Sequence, residues 1–266
     1  MAIIGASVFT ISEAQAQVPC DIPDPTPAPA DANFRLLSWN IKQIPTNGYP
    51  EGREYCQKAL AQKFDVAVMQ EAFLRTKTLR ENAAWSWRPV FKAGTHVPGF
   101  FNAAWRSPGL LTRSNNDMER VAAEPFNACS GWFDRKNDCI AKKGYQISRD
   151  GDLTIVNVHL DAGPKDASTR AKQLHKLFAN MPAEGPAVMA GDFNITTDRV
   201  EEYVLLKSLF DQHDFKIVYH NGKDLIAVRG EGIEVVGTGL VDGTLKYSDH
   251  AALYAYLKVA PELLKP

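Results

Sequence analysis

The apolar run Ala187-Val188-Met189-Ala190 leads straight into Gly191-Asp192-Phe193-Asn194, and no other stretch constrains the fold as strongly. A short buried-type strand ending in Gly-Asp-x-Asn delivers a carboxylate and a carboxamide, two residues apart, to one side of its C-terminal edge. Asp and Asn also favour turns for local reasons, because each hydrogen-bonds its own backbone, so an Asx-type turn accounts for the pair taken alone. The arrangement recurs along the chain, however. Phe34-Arg35-Leu36-Leu37-Ser38-Trp39 reads as a strand running into Asn40, and Phe64-Asp65-Val66-Ala67-Val68-Met69 as one ending at Gln70-Glu71. Leu153-Thr154-Ile155-Val156-Asn157-Val158 delivers His159 and then Asp161, and Tyr247-Ser248-Asp249-His250 precedes an alternating strand, Ala251 to Leu257.

With 266 residues, 45% hydrophobic and 23% charged, the chain can bury a full core as one large domain. Its formal net charge of -1 supplies no global basic field for nucleic acid or anionic membranes, which leaves only a local basic groove open. Residues 1–17 combine an apolar stretch, Ile3 to Ile11, with Ala14-Gln15-Ala16, a signal-peptide-like pattern that lacks a Lys or Arg n-region. Export to the periplasm or medium is expected, with no later span apolar enough to cross a bilayer. Residues 18–32, rich in Asp-Pro, Thr-Pro and Ala-Pro steps, read as an extended linker outside the core, 33–260 as the domain and 261–266 as a tail. Four cysteines fit an oxidising compartment. Of three possible pairings, one joins Cys129 to Cys139 across a short loop and leaves Cys20 to pin the N-terminal segment near Cys56. No Cys-x-x-Cys or clustered Cys/His spacing supports a zinc site.

Helices are expected over Glu51 to Lys63, Ser168 to Asn180 with Ser168 as N-cap, and Val200 to Phe210. Further strands are expected over Leu110 to Thr112, Val121 to Phe126, Gly144 to Arg149, Phe215 to Tyr219, Leu225 to Val228 and Ile233 to Val236. A hairpin turn falls at Asp150-Gly151. Many strands in hairpins with few helices indicate two sheets packed face to face, helices outside.

Asn40, Glu71, His159, Asp192, Asn194, Asp249 and His250 all lie at or just beyond expected strand ends. Converged, they would offer hard oxygen ligands and two imidazoles without sulfur, a set suited to Mg2+, Mn2+ or Ca2+. The motifs Ser-Trp-Asn at 38–40, Gln-Glu at 70–71, Asn-Val-His-Leu-Asp at 157–161, Gly-Asp-Phe-Asn and Ser-Asp-His at 248–250 resemble, in order, those of the endonuclease/exonuclease/phosphatase superfamily. That resemblance spans nearly the whole domain. It implies a four-layer α/β sandwich of two mostly antiparallel sheets, and phosphoester hydrolysis dependent on Mg2+ (or Mn2+). Carried over, Glu71 would be the main metal ligand with Asn40 beside it, and Asp249 a nearby metal or water ligand. Asp192 and Asn194 would orient the attacking water and phosphate oxygens. His159 would contact a non-bridging oxygen, and His250 would act as general base or phosphate contact. Asp224, in Lys223-Asp224-Leu225-Ile226, matches loosely the acidic partner of that histidine. The remaining histidines His96, His175, His213 and His220 match no motif, and Ser130 and Ser248 lack a nucleophile-elbow context.

The expected partner is a phosphodiester substrate, with no stable protein partner and a monomeric state. Cys129 and Cys139 before Lys142-Lys143-Gly144 resemble an element of the secreted sphingomyelinase-like branch, in which Trp132-Phe133 could face lipid; those aromatics, with Trp85, Trp87 and Trp105, could equally fill a core. Two departures stand against it: no aromatic residue lies between Ile233 and Tyr247, and His159 is followed by Leu-Asp. The alternative substrate is DNA or RNA, with Arg106, Arg113, Lys142, Lys143, Lys165, Arg170 and Lys172 available to track a phosphate backbone. A non-catalytic binding module on the same fold is a third reading.

Overall fold

The computed structural model describes residues 20–44, 48–73, 78–79, 108–131, 138–139 and 141–265. The leader, Trp85, Trp87, His96, Trp105, Arg106, Trp132 and Phe133 lie outside the described residues. Among the described residues, eleven strands and three α-helices follow in the order β1 (Phe34–Asn40), α1 (Arg53–Ala61), β2 (Val66–Gln70), β3 (Leu111–Ser114), β4 (Glu119–Pro125), β5 (Gly144–Asp150), β6 (Leu153–His159), α2 (Ala167–Asn180), β7 (Ala187–Asp192), α3 (Val200–Gln212), β8 (Lys216–Asn221), β9 (Asp224–Arg229), β10 (Ile233–Val241) and β11 (Ala252–Val259). They form a five-stranded sheet A, β10-β11-β1-β2-β3, and a six-stranded sheet B, β4-β5-β6-β7-β9-β8. Each sheet is antiparallel except for one central pair, β1/β2 in sheet A and β6/β7 in sheet B.

Alternation along the strands builds the layers. On β1, Leu37 and Trp39 face outward to Cys56 and Leu60 of α1, whereas Phe34 and Leu36 join the layer between the sheets. On β7, Ala187 and Met189 face the α2 and α3 residues Leu174, Leu177, Leu206 and Phe210, while Val188 and Ala190 face inward. The result is helix, sheet, sheet, helix: the four-layer α/β sandwich, with period-two patterning placing one apolar set on each side of each sheet.

The inward-facing series all change character at the same end. Phe34-Leu36 gives way to Ser38-Asn40, Val66-Val68 to Gln70, Leu153-Ile155 to Asn157-His159, and Val188-Ala190 to Asp192; antiparallel β9 runs from Val228 and Ile226 to Asp224. Beneath that polar rim, Gln70 Nε2 donates to Asn157 Oδ1 across the two sheets at 2.8 Å. Asn157 Nδ2 in turn donates to the carbonyl of Met69 at 3.1 Å, which links the two sheets through side-chain amides, although Gln70 Oε1 itself is buried without a partner.

Two expectations need correction. Ser168 does not start α2: the N-cap is Asp166, and its side chain makes no capping bond. Residues 20–31 are not a free linker. Ile22 packs against the outer core of sheet A, the Tyr256 hydroxyl donates to the carbonyl of Thr26, and Cys20 is bonded to Cys56 on α1. Proline prevents regular pairing but not packing, and the tyrosines of β11 supply the surface. The second disulfide joins Cys129 to Cys139, as the short-loop pairing requires.

Candidate active site

Two central strand pairs end at one rim, and their last inward positions meet there. Asn40 Nδ2, ending β1, donates to Asp192 Oδ2, ending β7, at 3.0 Å. The other carboxylate oxygen of Asp192 accepts the backbone N–H of Asn194 at 2.9 Å, and Asn194 Nδ2 donates to the carbonyl of Leu160 at 2.8 Å. Asn194 sits at φ 52°, a left-handed conformation that Asn tolerates. At Gly191 a side chain has no room, since a Cβ there would lie 2.0 Å from the carbonyl oxygen of Val158 on β6. The Gly-Asp-x-Asn sequence is therefore the condition for β6 and β7 to approach closely while Asp192 turns into the rim.

His250 reaches the same point from the β11 side. Its Nδ1 lies 2.7 Å from Asp224 Oδ2 and its Nε2 3.8 Å from Asp192 Oδ2, and Asp192, Asp224 and His250 form one compact acidic–imidazole cluster. The turn is knitted to β1: Ser248 Oγ donates to the carbonyl of Asn40 at 2.5 Å, and Trp39 Nε1 to that of His250 at 2.9 Å. Ser248 is thus structural. Burial works against a charged imidazole, but the carboxylates of Asp192, Asp224 and Asp249 outweigh it and raise His250 to about 9. Burial and the neighbouring charge of Asp192 raise Asp224. Nδ1 of the imidazole is thus committed to Asp224, and its Nε2 is turned towards Asp192.

His159 is completely buried, 3.4 Å from Asp192 through Nε2, and neither of its ring nitrogens has a hydrogen-bond partner. Burial, with the cations Lys143, His250 and Lys223 adding to it, drives its pKa far below the usual imidazole value and keeps it neutral. Glu71, just past β2, has φ 54° and a buried Oε2 that likewise lacks a hydrogen-bond partner. Of the four non-glycine residues with left-handed backbone among those described, Lys42, Glu71 and Asn194 all border this rim. Strain concentrated at one place, together with unpaired buried polar atoms, marks a site shaped for a ligand.

Asp249 stands apart from the others. Its carboxylate is half-exposed and ion-paired with Lys42, and it is not a member of the Asp192–Asp224–His250 cluster. Lys143, which the sequence offers in the Lys142-Lys143-Gly144 element and as a cation for a phosphate backbone, is instead buried, its ammonium 3.4 Å from Asp138 Oδ1. Burial lowers its pKa, but Glu71, Asp138 and Asp192 outweigh that and leave it raised, so a buried cation faces the acidic rim. Lysine is rarely buried, and nothing in Lys142-Lys143-Gly144 distinguishes which of the two points inward.

Comparisons with known proteins agree with this architecture. No family model matches the chain. UPF0294 protein VV2535 of Vibrio vulnificus strain YJ016 is 26% identical over 221 residues, covering 77% of this chain and 70% of the relative. Among solved structures, an endonuclease/exonuclease/phosphatase from Beutenbergia cavernae superposes with a TM-score of 0.59 at 15% identity, covering 85% of this chain and 72% of that one. The fold is that of the endonuclease/exonuclease/phosphatase superfamily. Sphingomyelinase C from Streptomyces griseocarneus shares the same fold, with a TM-score of 0.53 at 19% identity over 87% of this chain and 99% of its own. So does a family protein from Bacteroides vulgatus, at 0.57 and 16% over 85% and 98%.

In this chain the fold's rim holds oxygen donors of the kind hard divalent cations prefer. The unpaired Oε2 of Glu71 fits such an ion, the Asn40 carboxamide oxygen beside it already accepts the Lys42 backbone N–H at 3.1 Å and has one lone pair left to offer, and sulfur is absent from the rim among the described residues. The aspartates Asp138, Asp161 and Asp166 form a second cluster, but Asp161 is already satisfied by Ser130 N–H, Ser130 Oγ and Gln173 Nε2 at 2.7, 2.9 and 2.6 Å.

Proposed function

We propose that this chain is a phosphodiester hydrolase dependent on a divalent cation, with Mg2+ or Mn2+ held by Glu71 and Asn40. The observation that carries the reading is the juxtaposition of Asp192 with the His250–Asp224 pair, beside a buried carboxylate oxygen that has no partner. Hydrolysis requires a water to lose a proton and requires stabilisation of charge that builds on the phosphoryl oxygens. The bound cation would supply part of that stabilisation. Asp192, oriented by Asn40 and by the backbone of Asn194, is placed to accept the proton from water. His250, kept protonated by its carboxylate neighbours, donates Nε2–H to a phosphoryl oxygen, and Asp224 fixes its tautomer. Of the two roles the sequence leaves open for His250, its raised pKa favours phosphate contact over general base. Neutral His159 has a ring nitrogen free to bond a second non-bridging oxygen.

A phospholipid such as sphingomyelin is the favoured substrate and nucleic acid the alternative. Three of the cations available to track a phosphate backbone are buried with partners of their own. Arg113 donates to the carbonyl of Ala61, Lys143 pairs with Asp138, and Arg170 forks onto Glu202 at 2.6 and 2.9 Å. Among the described residues of that set, Lys165 and Lys172 are exposed and Lys142 is half-buried, too few to line a long groove. Sphingomyelinase C and the Staphylococcus aureus beta toxin stand among the structures of this fold, and two disulfides suit an exported protein. Sphingomyelin, lysophospholipid, plasmid DNA and RNA assayed side by side with Mg2+ test the assignment. Release of a phosphorylated headgroup from lipid is expected; cleavage of nucleic acid alone would overturn the lipid assignment, and turnover of none of the four the hydrolase itself.

A further inference from the structure

The Pro-rich segment at residues 20–31 grips the loop that carries His250, and it does so from an unexpected distance in sequence. The Asp21 carboxylate accepts hydrogen bonds from the Tyr247 hydroxyl and the Lys246 ammonium, and the Asp21 N–H approaches the same hydroxyl oxygen at 3.3 Å. Pro23 lies against Gly243, where an added Cβ would come within 3.1 Å of its ring. Tyr247 is also held from the opposite side, because its carbonyl accepts Gln57 Nε2 at 3.2 Å and Arg53 Nη1 at 3.4 Å, both from α1.

The same helix carries Cys56, to which Cys20 is bonded. The disulfide therefore joins the two jaws, strap and helix, that close on Tyr247. One residue later Ser248 ties the loop to Asn40, and two residues after that comes the imidazole. A proline-rich strap loses little chain entropy on docking, and a covalent anchor next to Asp21 makes its contact with Tyr247 effectively intramolecular.

We infer that this strap is a positioning element for the site: Asp21, anchored by the Cys20–Cys56 bond, fixes the Thr244–His250 loop and thereby the place of the His250 imidazole. The inference rests on the hydrolase reading for its kinetic consequence but not for its structural one. Displacing a reacting group by about 1 Å costs up to about a hundredfold in rate, so loosening its loop is expected to lower kcat by about tenfold while KM stays within about twofold.

Asp21→Ala in the full, oxidised chain is the test, read by hydrogen–deuterium exchange and by phosphodiester turnover. Faster exchange across residues 243–251, with β6 and β7 unchanged and kcat lowered at constant KM, is expected. Asp21→Asn, which keeps an acceptor for the Tyr247 hydroxyl, should recover most of both. Tyr247→Phe removes only the hydroxyl and should reproduce the Asp21→Ala exchange pattern if that variant folds poorly. Unchanged exchange over residues 243–251 in Asp21→Ala and Tyr247→Phe would overturn the inference, as would a uniform rise throughout the chain in both. If no phosphodiester is turned over by any form of the protein, the hydrolase reading fails while the exchange result still decides the role of the strap.

Discussion

The two sides of the rim differ in how their polar atoms are employed. On the β7 side, Asp192 accepts from Asn40 and Asn194, and His250 is bonded to Asp224. On the β2 and β6 side, Glu71 Oε2 and both nitrogens of His159 are buried with no hydrogen-bond partner. A satisfied network stabilises the fold and specifies one geometry, whereas an unpaired buried group costs the fold on the order of 1–3 kcal/mol. The first side is therefore scaffold and chemistry together, while the second keeps buried hydrogen-bonding capacity that the protein itself does not use and that is open to a bound group. Replacements on the two sides should separate activity from stability.

The largest effect is expected for Asp192→Ala, which removes the proton acceptor and the bonds to Asn40 and Asn194. Turnover of a phosphodiester should fall by about 10³-fold, and chemical unfolding should show a loss of about 1–3 kcal/mol. Glu71→Gln should behave differently. Its turnover should fall by about 10²-fold, yet its stability in chelator should be no lower than that of the unaltered protein. Added Mg2+ should raise the melting temperature of the unaltered protein, because a ligand binding only the folded state stabilises it. The Glu71→Gln protein should lose that response. If both variants lost stability equally, the contrast between the two sides would be gone.

A smaller effect concerns pH. The pKa of His250 is raised from 6.5 to about 9, so its contribution to stability is complete below about pH 6.5 and disappears as pH rises through about 9. Asp224, also raised, works in the same direction, since the folded state disfavours its ionised form as pH climbs from 3.8 to about 7. Urea unfolding in chelator should therefore show stability declining from pH 6.5 to 9, and His250→Asn should flatten that limb. An unchanged slope in the variant would mean that another group governs it.

Much of this contrast could be read in the chain, and the physical reason is the strand period. Asn40, His159 and Asp192 each end an apolar run on the inward parity of their strand, so their convergence follows once the sheets pair, whereas Glu71 falls one residue past inward Gln70 and borders the rim through its left-handed backbone at φ 54°. The hairpin at Asp150-Gly151 is legible for a different reason, the Asp-Gly pair, whose Gly151 takes the positive φ of 61° that the turn needs. Asp224 was only loosely marked because it begins its strand rather than ending one, and antiparallel pairing with β7 brings it opposite Asp192. The sequence marks Lys143 only in its Lys-Gly element and as one of several cations, and not as a buried rim cation, since its burial depends on Asp138 and on carboxylates from distant strands. The strap reads as a linker in the sequence because proline content reports what a segment cannot pair with; its partners Tyr247 and Tyr256 lie more than 220 residues further on.

The most direct test of the central claim is hydrolysis of bis-p-nitrophenyl phosphate by protein stripped with EDTA and then returned to Mg2+ or Mn2+. Turnover should vanish in chelator, return with the cation, and remain low in Glu71→Gln under both conditions. Full turnover in EDTA, or undiminished turnover by Glu71→Gln, would contradict a cation-dependent phosphodiester hydrolase built on this rim.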